Sequence, residues 1–80
     1  MEADDQPTTE VDATGLTCPM PVIELSGAVA GVDVGATVRL LATDPTARVD
    51  VPVWCRMRRH RLVSLDEDDG VLRFLVERAH

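Results

Sequence analysis

The chain has 80 residues, a length for one domain with a small core. Apolar residues make up 45% of it but aromatics only 2%, so the core must be built from Val, Leu, Ile and Ala. The formal net charge is −6 and all 8 basic residues are Arg, which argues against a surface made for phosphate backbones.

No direct nucleic-acid contact is therefore expected, and an acidic surface attracts positively charged partner surfaces instead. No apolar run approaches the roughly 20 residues of a membrane span. The N-terminus lacks the basic-then-apolar layout of a signal peptide. A cytoplasmic protein without a membrane partner is expected. Two cysteines without an export signal do not suggest a disulfide framework. Two Cys and two scattered His also lack zinc-ligand spacing, so neither a metal nor another cofactor is expected.

In chain order, residues 1–8 are polar and acidic and predict a mobile tail, with residues 9–80 forming one domain. Thr9 to Ala13 can be a short strand, with Val11 and Ala13 inward. Pro19 to about Ala30 has Val22, Leu25 and Val29 at helical spacing, and Gly31 marks its stop. Thr37 to Thr43 reads as a strand. Its neighbour, residues 44–59, is ambiguous. Val49, Val51 and Val53 alternate as in a strand, yet Asp44-Pro45 is a helix-entry signal and Val49, Val53 and Met57 repeat every four residues. Pro52 fits a central strand poorly, so a helix is predicted, entered near Thr46 and bent at Pro52, or begun with Asp50 as cap. Arg61 to Glu67 and Val71 to Arg78 read as strands joined by the hairpin signal Asp68-Asp69-Gly70. Strand–helix–strand–helix–strand–strand implies an α/β two-layer sandwich, a four-stranded mixed sheet with two helices on one face.

The chemistry centres on Gly15-Leu16-Thr17-Cys18-Pro19-Met20-Pro21. Cys18 falls at a strand-to-helix junction and is expected as the helix N-cap. Pro19 and Pro21 then sit in the first turn, where a missing N–H costs nothing. The N–H groups of Met20 and Val22 would be free donors near the sulfur. A thiolate at a helix N-terminus is stabilised by the dipole, which predicts a lowered Cys18 pKa. A lone cysteine is more often a small buried hydrophobe, and this placement is what favours function. Cys55, beside Trp54 on the second helix, reads better as such a packing residue than as a resolving thiol for Cys18.

The run Gly15-Leu16-x-Cys18-Pro19-x-Pro21 resembles the signature of the TusA/SirA family of small sulfur-carrier proteins. Asp44-Pro45, Asp50-Val51-Pro52, Trp54-Cys55 and His60 continue that resemblance, over about residues 10 to 78. It implies that Cys18 accepts sulfane sulfur as a persulfide from a cysteine desulfurase of the pyridoxal-phosphate type. Acceptors would be proteins serving tRNA thiolation, molybdenum-cofactor formation or sulfur oxidation, with the carrier itself a sulfurtransferase and a monomer. Asp44, Arg48 and Asp50 resemble positions placed near the active cysteine, and Arg48 could steady a thiolate or be one half of a surface ion pair. His60 could be a base, although its place at a strand entrance favours a structural hydrogen bond. The Arg56, Arg58, Arg59, Arg61 cluster is the basic patch of the sequence, either a solvated face or a docking surface. Two other readings stay open. One is a non-catalytic interaction or regulatory module; the other is a redox sensor pairing Cys18 with Cys55.

Overall fold

The first strand, β1 (Thr9–Ala13), is short because Thr14-Gly15 turns the chain immediately after it. Helix α1 (Met20–Ala30), strand β2 (Thr37–Ala42), helix α2 (Ala47–Arg58) and strands β3 (Arg61–Asp68) and β4 (Val71–Glu77) follow, as the order of signals predicts. These elements come from a computed structural model that describes residues 9–80; the tail expected over residues 1–8 lies outside the described residues.

The sheet order is β1-β2-β4-β3. β1 and β2 are parallel, with Ala13 opposite Ala42 at their carboxyl ends, while β4 runs antiparallel to both β2 and β3. The β3–β4 hairpin turns through Asp69 and Gly70, both at positive φ (56° and 82°), as the Asp-Gly pair dictates. A register shift between Leu62 and Ser64 kinks the edge strand β3.

Alternation divides the sheet into two faces. Val38, Leu40 and Ala42 of β2 join Leu72, Phe74 and Val76 of β4 in one cluster with Leu25 and Val29 of α1 and Val51 of α2. Both helices therefore cover the same face, α1 over β1 and β2 and α2 over β3 and β4. Phe74 is the largest fully buried side chain, and burial of this kind stabilises by about 1.5–3 kcal/mol per large apolar residue. Every other side chain here is aliphatic or Cys55, which is the aliphatic core that the composition requires.

Two details differ from expectation. In α2 the buried stripe is Ala47, Val51 and Cys55, whereas Val49, Val53 and Met57 are 64%, 42% and 74% exposed. Both stripes have the same four-residue repeat. The small residues Ala47 and Cys55 bring α2 close to the sheet, so the bulkier stripe turns outward. The helix starts at Thr46 as N-cap and runs through Pro52, so Asp50 lies in its first turn and caps nothing.

Candidate functional site

The parallel pair β1–β2 ends on one edge of the molecule, and both loops leaving it carry the residues singled out in the sequence. Open α/β sheets gather function at such carboxyl ends. After β1, Thr14 turns back on Asp12, its N–H and hydroxyl both donating to Asp12 Oδ1. Gly15 takes φ +84°, a conformation an L side chain strains to adopt, although nothing lies near its missing Cβ. Glycine is thus needed there for its backbone. Its N–H donates to Thr43 Oγ1 at 2.8 Å, tying the first loop to the second.

The next tie reaches the cysteine. The N–H of Cys18 donates to Asp44 Oδ2 at 2.9 Å, while Asp44 Oδ1 accepts the Thr46 N–H at 2.9 Å. One carboxylate thereby caps the entry to α2 and holds the Cys18 backbone. These bonds keep the Asp44 carboxyl below its ordinary 3.8. Asp44 was thus correctly singled out, and its contact is with the backbone of Cys18.

The helix start is one residue later than expected. Pro19 is the N-cap of α1, Cys18 precedes it across a cis Cys18–Pro19 peptide, and Pro21 is buried against the core. The expected free donors are occupied. The Met20 N–H donates to Thr17 O at 2.9 Å and the Val22 N–H to Pro19 O at 3.1 Å. Pro19 and Pro21 have no N–H to offer. The first turn of α1 therefore directs no spare donor at the sulfur.

The charge around Cys18 reverses the expected pKa shift. Burial pushes the thiol from its ordinary 9.0 up to about 11, helped by the Asp50 carboxylate within reach as an acceptor, then by the negative charges of Asp50 and Asp44. Arg48 supplies no countercharge, because its guanidinium pairs with Glu67 across to β3. Asp50 is the site residue whose role the sequence understated: it was read as a cap and stands as the thiol's anionic neighbour.

Cys18 itself is half-exposed. Beside it, Pro19, Val22, Asp50, Val53, Trp54 and Met57 line a groove of about 220 Å³ between the two helices. Met20 is exposed on its rim. Cys55, by contrast, is 2% exposed within the core, and its thiol is also pushed up to about 11, by burial. His60 is structural, as its strand-entrance position suggested. Its Nδ1 accepts the Ala79 N–H at 3.1 Å and its ring stacks on His80. Burial and the positive charges of His80, Arg78 and Arg58 hold its pKa below the ordinary 6.5.

A two-layer sandwich whose linked strand-exit loops hold one half-exposed cysteine at a helix entry, beside an open groove, defines a small α/β protein built to present a thiol. Comparison with known proteins narrows that class. The family model described as sulfurtransferase TusA matches residues 9–78, and the chain belongs to that family. A sulfur carrier protein TusA of Pseudomonas putida is 36% identical over 75 residues, covering 94% of each chain. Another, of Pseudomonas aeruginosa, is 37% identical over 68 residues, covering 85% of this chain and 86% of its own. Among solved structures, a SirA-like protein from Desulfitobacterium hafniense superposes with a TM-score of 0.78 at 25% identity, covering 90% of this chain and 99% of that one. The family supports a sulfur-carrier role, one exercised with protein partners, and no helix among the described residues is long and apolar enough to cross a membrane.

Proposed function

We propose that this protein relays sulfane sulfur as a persulfide on Cys18. The observation that carries the reading is the half-exposed thiol held at the joined ends of β1 and β2, with Asp44 fixing its backbone. In the loading step, the Cys18 thiolate attacks the outer sulfur of a donor persulfide. A new S–S bond forms at Cys18 as the donor's S–S bond breaks, and the donor departs as a thiolate with the electron pair. One sulfur atom moves and no external oxidant or reductant is consumed. Delivery repeats the step with an acceptor's nucleophile attacking the outer sulfur of Cys18. The family implies a cysteine desulfurase as donor and a protein of tRNA thiolation, molybdenum-cofactor formation or related sulfur metabolism as acceptor.

The surroundings of the thiol fit a carrier that rests unreactive. With its pKa near 11, roughly one molecule in ten thousand carries the Cys18 thiolate at pH 7. Asp44 and Gly15 position the loop, Pro21 anchors it in the core, and Pro19 and Met20 form the rim beside the sulfur. Cys55 is too enclosed to serve as a resolving partner without opening the core, which disfavours the redox-sensor reading. Incubation with a persulfide donor and intact-mass measurement tests the proposal. A gain of one sulfur in the wild type and in Cys55→Ala, absent in Cys18→Ser, is expected. Loading that survives Cys18→Ser would overturn it.

A further inference from the structure

The groove beside Cys18 does not stop at Trp54. Trp54 also lines a second depression of about 180 Å³, with Ser26, Val29 and Ala30 of α1 on one wall and Arg58, His60, Arg78 and His80 on the other. Read along α2, the lining residues are Asp50, Val53, Trp54, Met57 and Arg58, the stripe left outward when Ala47, Val51 and Cys55 turned in. Read along α1, they are Pro19, Val22, Ser26, Val29 and Ala30, in the same direction. The two depressions therefore form one cleft between the helices.

That cleft is polarised. Its Cys18 end carries Asp50, with Asp44 behind it, and no cation there balances them. Its middle is apolar, formed by Val22, Val53, Trp54 and Met57. Its far end carries Arg58 and Arg78 and no acidic side chain. Arg78 is partly committed, since its Nη1 donates to Val32 O at 2.6 Å and to Ala30 O at 3.3 Å, serving the last carbonyls of a helix whose own last turn has no basic residue. Arg58 is exposed and belongs to the arginine-rich end of α2. The protein as a whole is strongly acidic, so a cationic end on this one cleft is a local feature.

We propose that this cleft docks an extended segment of the sulfur-exchanging partner protein, with a Lys or Arg at the Cys18 end, an apolar residue over Trp54 and an acidic residue at the Arg58 end. The inference rests on the carrier reading for what the partner does, and on charge and spacing for what it looks like. Asp50 and Arg58 are eight residues apart on α2, about 12 Å along a helix axis. An extended chain advances about 3.3 Å per residue and returns to the same face every second one, so residues i, i+2 and i+4 span about 13 Å. A cation, an apolar side chain and an acid at those three positions meet the three zones of the cleft. The partner's cation then supplies the countercharge that Arg48, bound to Glu67, does not. Docking and activation of the thiol become one event, because a positive charge beside Cys18 offsets the two carboxylates that hold it protonated.

The probes are three synthetic peptides flanked by Gly and Ser, carrying Lys-Ser-Leu-Ser-Glu, Lys-Ser-Leu-Ser-Lys or Glu-Ser-Leu-Ser-Glu, titrated into the whole protein and followed by amide and Trp54 indole NMR shifts. The mixed-charge peptide is expected to bind at least fivefold tighter than either control at low salt, with shifts along the cleft. It should also raise the rate of Cys18 alkylation severalfold at saturation, while Glu-Ser-Leu-Ser-Glu leaves that rate unchanged. Arg58→Glu, at an exposed position that does not threaten folding, is expected to move the preference to Lys-Ser-Leu-Ser-Lys. Attraction by net charge alone would rank Lys-Ser-Leu-Ser-Lys first on the wild type, and that ranking overturns the proposal. So do shifts confined to the open face of the sheet, or cleft shifts that appear on raising protein concentration without peptide, which would make a second copy the occupant. Sulfur loading of Cys18 is measured separately. If Cys18 gains sulfur but the peptides rank by net charge, the cleft inference alone fails; if the peptides rank as expected but Cys18 never gains sulfur, the carrier reading fails.

Discussion

The two cysteines arrive at the same acidity by different routes. Cys55 is raised by enclosure between α2 and the sheet, and nothing short of opening the core changes that. Cys18 is half-exposed, and part of its shift comes from Asp50 and Asp44. Enclosure is a property of the fold, whereas a carboxylate's influence can be cancelled by an incoming charge. Equal thiol pKa values therefore describe one inert cysteine and one whose reactivity is adjustable.

The comparison can be broken first at the level of the helix that separates the two. Val51 is fully buried on the Cys55 face of α2 and Val53 is on the outward face. Val51→Asp places an unpaired carboxylate in the core and should cost more than about 4 kcal/mol, enough to unfold a domain of this size. Val53→Asp should change stability by about 0.5 kcal/mol or less. Urea denaturation of both variants decides, and equal losses would show that the two faces are not distinct.

Cys55→Ser makes the smaller version of the same test. The buried hydroxyl lacks a ready partner and should cost about 1–3 kcal/mol. Sulfur loading of Cys18, read by intact mass, should persist in the folded variant. A folded Cys55→Ser protein that no longer loads would place Cys55 in the chemistry.

The third variant addresses the adjustable cysteine. Asp50→Asn removes one negative charge beside Cys18, so its pKa should fall from about 11 toward the ordinary 9.0, with burial and Asp44 keeping it above that value. Each unit of fall raises the thiolate fraction at neutral pH about tenfold. The pH dependence of iodoacetamide alkylation, followed by peptide mass mapping, should show faster reaction at Cys18 and none at Cys55. An unchanged Cys18 profile would mean that enclosure governs both cysteines alike. The same shifts set the alkaline limit of stability. A folded-state pKa raised above the unfolded value gives stability that is intact below pH 9.0 and lost as pH rises towards 11.

These differences between the cysteines were only partly legible in the sequence. The element order, the hairpin at Asp69-Gly70 and the role of Cys55 as packing all follow from local pattern. The outward stripe of α2 does not, because Val49-Val53-Met57 and Ala47-Val51-Cys55 share one period and only close packing on the sheet chooses between them. The acidity of Cys18 was misread for a related reason. A helix start predicts a stabilised thiolate, but the cap falls on Pro19, Pro21 has no N–H, and the donors of Met20 and Val22 are used locally. The carboxylates that act instead come from the β2–α2 loop and the first turn of α2, brought in by the parallel pairing of β1 with β2. Arg48 illustrates the same limit, since its neighbour Glu67 lies on a strand that no local pattern connects to it.

The smallest expected effect lies at acid pH and separates the cysteines by their backbones. Asp44 accepts N–H bonds from Cys18 and Thr46, which lowers its pKa below 3.8 in the folded protein. A depressed carboxylate contributes stability that is present above the unfolded pKa and is lost as pH falls through the folded one. Protonation of Asp44 should therefore loosen the Cys18 loop and the entry to α2 together, while the core around Cys55 is untouched. In a pH titration followed by amide NMR, the Cys18 and Thr46 resonances should move together with a midpoint below 3.8, and the Cys55 resonance should stay still. Asp44→Asn retains an acceptor oxygen for one of the two donors and cannot serve both. Its Cys18 or Thr46 amide should lose that titration and exchange faster with solvent. A Cys18 amide that is insensitive to pH across this range would show that Asp44 does not hold the loop, and would leave the half-exposure of Cys18 without its main restraint.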